Sequence, residues 1–105
     1  MSPQEELDAA LVEYEQAEER VGLEYQNWHY LQMSYDSLMS SLQQMGLSRE
    51  KAQEQFDTYM QAHAESFSHA LEQRALSSSR LAALLKRYPQ LVVSLTPRPK
   101  RRLGI

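Results

Sequence analysis

The stretch Leu42-Gln43-Gln44-Met45-Gly46-Leu47-Ser48-Arg49-Glu50 decides the fold. Gly46 is the first strong helix stop, because glycine enters the left-handed conformation that ends a helix without a Cβ clash. Ser48 is a good N-cap for a new helix, since its hydroxyl can accept from an amide of the first turn. A connection of about three residues (Gly46, Leu47, Ser48) forces the flanking helices to lie antiparallel.

Upstream, no proline intervenes between Pro3 and Pro89. Ser2, Pro3 and Glu5 read as N-cap, first helical residue and the acid of a capping box. Glu5, Glu6 and Asp8 suit the positive end of the helix dipole. The first helix is therefore expected over about 3–45, a rod of about 65 Å. Gly22 lies inside it at a cost of about 1 kcal/mol relative to alanine, so a bend or a close helix contact is expected there.

The apolar residues of this helix recur every seven positions as Leu7, Tyr14, Val21, Trp28, Tyr35 and Leu42. Four residues on from these stand Leu11, Glu18, Tyr25, Gln32 and Met39, the second row of a coiled-coil-like seam. A third row holds Ala10, Ala17, Glu24, Leu31, Leu38 and Met45. From Tyr25 onward the stripe is thus wider than a two-stranded seam, as for a helix with more than one neighbour. Tyr30 falls off the stripe beside His29.

Downstream of Ser48 the apolar positions are Ala52, Phe56, Tyr59, Met60, Ala64, Phe67, Ala70, Leu71, Ala75 and Leu76, with His63 interrupting them. Their spacing is nearer 3.6 than 3.5, which predicts little sustained supercoiling. The second helix is expected over about 48–76. Ser77, Ser78 and Ser79 are weak helix formers, so it either continues or restarts as a segment over 80–88 that buries Leu81, Leu84, Leu85 and Tyr88. Pro89 ends it. Residues 89–105 are expected as an extended Pro/Arg-rich tail, with Leu91, Val92, Val93 and Leu95 as a short extended piece. The fold class is accordingly all-α: a long antiparallel helical hairpin, a short third helical segment and an irregular basic C-terminal tail.

Of the 105 residues, 42% are hydrophobic and 24% charged, usage that does not argue for a disordered chain. The absence of cysteine excludes disulfides, Cys-ligated zinc and thiol chemistry. No apolar run is long enough for a transmembrane helix, and the acidic start does not read as a secretory signal, so a cytoplasmic location is expected. Charge is segregated. Residues 1–72 hold all 14 acids and three bases, a net of −11, whereas residues 73–105 hold eight bases and no acid. The bases Arg74 to Arg87 can face the acidic start of the first helix across an antiparallel pair, whereas Arg98, Lys100, Arg101 and Arg102 stand beyond prolines and suit an anionic partner.

No catalytic constellation is recognisable: there is no nucleophile elbow, phosphate-cradling glycine loop, His-Glu-x-x-His or Glu-x-x-His. His63, Glu65, His69 and Glu72 are the nearest approach to a ligand set, and their spacing does not align all of them on one helix face. No enzyme activity, metal, cofactor or small-molecule substrate is expected.

Two helices alone leave apolar surface uncovered. A twofold dimer of hairpins or a helix from another protein would complete a four-helix bundle; folding back of residues 80–88 is a weaker alternative. The expected function is a non-enzymatic protein–protein interaction module, an adaptor, assembly factor or small chaperone. Its expected contact residues are Tyr25, Trp28, Leu31, Tyr35, Leu38, Met45, Phe56, Tyr59, Met60 and Phe67. The alternative is a small dimeric nucleic-acid-associated regulator contacting phosphate through Arg74 to Arg102.

Overall fold

The computed structural model describes residues 2–94; the tail residues Arg98, Lys100, Arg101 and Arg102 lie outside them. The described chain is helical: α1 is Pro3–Met33, α2 Tyr35–Gln44 and α3 Arg49–Arg87, followed by a 3-10 segment, Pro89–Ser94. There is no strand among the described residues.

The ends of the elements follow from local chemistry. The amide of Glu5 donates to the Ser2 hydroxyl (3.2 Å), and that of Lys51 to the Ser48 hydroxyl (3.2 Å), so both N-caps form. At the end of α2, Gly46 adopts φ +100°. Its amide donates to Gln43 O (3.0 Å) and that of Leu47 to Leu42 O (3.2 Å), the paired bonds of a Schellman cap. Leu47 packs against the core cluster that contains Leu42, as the apolar residue after such a cap commonly does.

Two features differ from the sequence expectation. Ser34 divides the helix expected over 3–45. Its φ of −96° and ψ of 9° depart from helical values, yet the amide still donates to Tyr30 O (3.0 Å) and its carbonyl accepts from Leu38 (2.9 Å). The ladder therefore loosens there for one residue without ending. Second, Pro89–Ser94 is a 3-10 turn rather than an extended piece, because Leu91 is drawn into the core and is 7% exposed. The helix also passes through Ser77–Ser79 unbroken, so residues 80–88 form no separate folded-back helix. Ser77 is itself buried.

The packing forms two compact units: one joins residues 2–19 with residues 71–94, and the other is Arg20–Ala70. In the first, Leu7, Tyr14, Leu81, Leu85 and Leu91 make the core, flanked by Leu11, Leu84, Tyr88 and Val92. In the second, the core is Met39, Leu42, Ala52 and Phe56, flanked by Leu31, Tyr35, Leu38, Leu47 and Met60. Each unit pairs the α3 segment antiparallel with its partner helix.

Burial along α3 is more heptad-like than its apolar pattern suggests. Phe56, Met60, His63, Phe67, Ala70, Arg74, Ser77, Leu81, Leu84 and Tyr88 alternate by four and three residues, and each is buried or half-buried. Three of these are polar, while the apolar neighbours Ala64, Ala75 and Leu76 point outward. That substitution of polar for apolar seam residues made the spacing look like 3.6. Along α1 and into α2 the row Leu7, Tyr14, Val21, Trp28 and Tyr35 is buried or half-buried as expected. The seam continues three residues on, through Ala10, Ala17, Glu24 and Leu31, and Tyr25 and Gln32 are exposed.

Candidate interaction surface

The sole tryptophan centres a ring cluster in the Arg20–Ala70 unit. Trp28 lies parallel to Phe67, with centroids 6.1 Å apart and planes 3° apart. Tyr25 meets Phe67 at 5.8 Å and Trp28 at 6.4 Å, both tilted. On its other side Tyr25 stacks on His29, at 5.9 Å and 5°. Rings in these arrangements attract one another by roughly 0.5–1.5 kcal/mol per pair beyond area burial. Tyr25 and His29 are one turn apart on α1, so the helix itself sets that stack. Trp28 and Phe67 are half-buried, and Tyr25 is 48% exposed.

The ten residues expected to contact a partner divide by depth. Phe56 is buried, with Tyr35 edge-on to its ring at 4.8 Å. The Tyr35 hydroxyl donates to Gln53 Oε1, which fixes the ring against α3. Leu31, Leu38 and Met60 pack onto the same core and are half-buried. Tyr25, Met45 and Tyr59 face outward, Met45 at 78% exposure, and Trp28 and Phe67 offer partly open rings. The contiguous set brought together is thus Tyr25, Trp28 and Phe67, joined by His29.

Sequence reading of the stripe missed Leu23 and Met33, which are 56% and 75% exposed; Tyr30, read as off the stripe, is 74% exposed. A signal for them exists in the charges. Residues 25–35 contain no acid, lysine or arginine, and between Tyr25 and Ser48 the only such residue is Asp36. In a chain with 24% charged residues, the exposed residues of this stretch are poorly suited to water alone.

Elsewhere, Arg80 pairs with Glu13 across the first unit, and the Arg87 guanidinium lies 5.2 Å from the centre of the Tyr88 ring. The basic end of α3 therefore meets the acidic α1 at least at Arg80. Arg74 is half-buried and lines a hollow of about 300 Å³ with Tyr14, Leu71, Ala75 and Ser78. Among the described residues no three of His, Asp or Glu converge as a metal site, and no helix is long and apolar enough to cross a membrane. His63 is half-buried in the seam and His69 exposed.

Comparison with protein-family models, curated proteins and solved structures finds no match to this chain.

Proposed function

We propose that this chain is a non-enzymatic protein–protein interaction module, an adaptor, assembly factor or small chaperone, acting through the aromatic and methionine surface of the Arg20–Ala70 unit. The observation that carries it is the coincidence of exposed large side chains with missing charge. Tyr25, Tyr30, Met33 and Met45 are 48%, 74%, 75% and 78% exposed within a stretch holding Asp36 as its one charged residue. Interface centres have this composition: aromatic residues and methionine enriched, charge depleted. Rigid aromatic anchors carry a disproportionate share of binding energy, and stacking already holds Tyr25 in place.

A second helical pair laid on this surface, from another copy or from a different protein, would complete a four-helix arrangement. The basic residues Arg98, Lys100, Arg101 and Arg102 would serve an anionic partner. The nucleic-acid alternative is less well supported: Glu13 already engages Arg80, and the acidic majority of the chain would repel a duplex.

The test is affinity capture from the native host with the tagged full chain and with a Tyr25→Glu/Tyr59→Glu variant, read by mass spectrometry. Capture of a specific chain, its own included, that the variant loses is the expected result. Equal capture by both would contradict the assignment.

A further inference from the structure

We propose that the two ends of the described chain, residues 2–19 and 71–94, open together as a clasp while the hairpin Arg20–Ala70 stays folded. Such opening is separate from the interaction reading above, since it concerns the other unit and needs no partner.

The cores of the two units share no residue. Leu7, Tyr14, Leu81, Leu85 and Leu91 make one, and Met39, Leu42, Ala52 and Phe56 the other. Between Tyr14 and Met39 the one buried hydrophobic residue is Val21, and between Phe56 and Leu81 it is Ala70. Neither belongs to a core cluster. The same stretches of α1 and α3 place Glu18, Glu24, Arg74 and Ser77 at half-buried or buried positions, and polar seam residues lower the stability of a helix pair. Gly22 weakens α1 there as well, because glycine is the poorest helix former after proline. The hollow of about 300 Å³ beside Tyr14 and Arg74 leaves side chains of this stretch without partner atoms on one side. Sparse buried apolar contact is what lets one part of a fold open without the rest. The half-buried rings of Trp28 and Phe67 lie within Arg20–Ala70 and stay with it.

Chain order sets which unit opens first. Arg20–Ala70 is one continuous segment, and its helices are joined by residues 45–48 alone. The other unit is made of two segments that only Arg20–Ala70 connects. With the ends open, the hairpin still needs no more than its own four-residue turn. With the hairpin open and the ends shut, the whole stretch from 20 to 70 becomes a loop to be held closed. Closure probability falls roughly as the three-halves power of loop length, which sets this second form at about a 50-fold disadvantage. Opening is therefore ordered, ends before hairpin. It uncovers Leu7 and Leu81, both 0% exposed when closed, and leaves the Tyr25, Trp28 and Phe67 cluster assembled.

Native-state hydrogen exchange of the full chain in sub-denaturing urea, followed amide by amide, tests this. The protected amides of residues 2–19 and 71–94 are expected to exchange together, and faster than the protected amides of Arg20–Ala70. Two truncations of the same chemistry then establish the order. Leu42→Ala should speed exchange in the hairpin about thirtyfold or more and leave the ends at their wild-type rates, because the ends open without it. Leu81→Ala should speed both units by a similar factor, because the hairpin unfolds only from the form whose ends are already open. Should either alanine variant lose its helical circular dichroism, Leu42→Val and Leu81→Val give the same comparison at a smaller factor. One common rate throughout the wild-type chain, faster ends in the Leu42 variant, or an effect of the Leu81 variant confined to the ends overturns the proposal.

Discussion

Replacing Leu91 by alanine would show whether the 3-10 segment belongs to the core or merely trails from α3. Leu91 is 7% exposed and packs with Leu7, Tyr14, Leu81 and Leu85. Removing a buried leucine side chain to Cβ costs about 2–5 kcal/mol, depending on how far the site collapses. A six-residue turn at the end of a unit can settle inward more easily than the middle of a helix, so the low end applies, about 2 kcal/mol. Against a total stability of about 5–15 kcal/mol for a domain, that is a large fraction. In urea unfolding followed by helical circular dichroism, with a slope of about 2 kcal/mol per molar, the midpoint should fall by about 1 M. Two substitutions of the same chemistry bracket the result. Leu81→Ala, at a site with 0% exposure, should cost more. Leu76→Ala, at 51% exposure, should stay within about 0.5 kcal/mol of wild type. Equal effects of Leu91→Ala and Leu76→Ala would show that the segment is not packed as described.

Gly46→Ala places a Cβ at φ +100° and should destabilise the chain by about 1 kcal/mol or more, read as a lower urea midpoint; no change would deny the left-handed cap. The Glu13–Arg80 pair is exposed at both ends, 47% and 63%. Arg80→Ala should therefore cost no more than about 1 kcal/mol, and less in high salt, as measured by thermal melts at two ionic strengths; a large, salt-independent loss would be inconsistent with a surface pair.

Much of the fold was legible because the strongest signals are local. Ser2, Gly46 and Ser48 act through their own backbone neighbours, and all three cap as their chemistry dictates. The inward row from Leu7 to Leu42 was legible because every member is apolar or aromatic. The seam of α3 was not, because His63, Arg74 and Ser77 occupy it while Ala75 and Leu76 point outward; hydropathy and burial disagree there, and only packing decides. Leu91 was misplaced for a related reason. A β-like run after Pro89 reads as extended by propensity, yet the apolar end of the hairpin offers it a core to join. At the candidate surface, rows of hydrophobic residues pointed to Tyr25, Trp28 and Phe67, whose rings meet, but also gathered Phe56, which is buried in the core. The charge-free run from Tyr25 to Tyr35 contains the outward Tyr25, Tyr30 and Met33 together with the half-buried Trp28, Leu31 and Tyr35, so it marks a stretch and not a face.

The central claim is that the exposed aromatic and methionine surface of Arg20–Ala70 is covered in the working state of the protein. Hydroxyl-radical footprinting of the chain alone against the chain with its captured partner, a second copy included, measures that coverage residue by residue. Tyr25, Tyr30 and Met33 are predicted to lose reactivity when that partner is bound, while Val12 and Leu76, exposed at 53% and 51%, keep theirs. Reactivity at all five that follows their exposure in the single chain, at every concentration and with any captured partner present, would contradict the account.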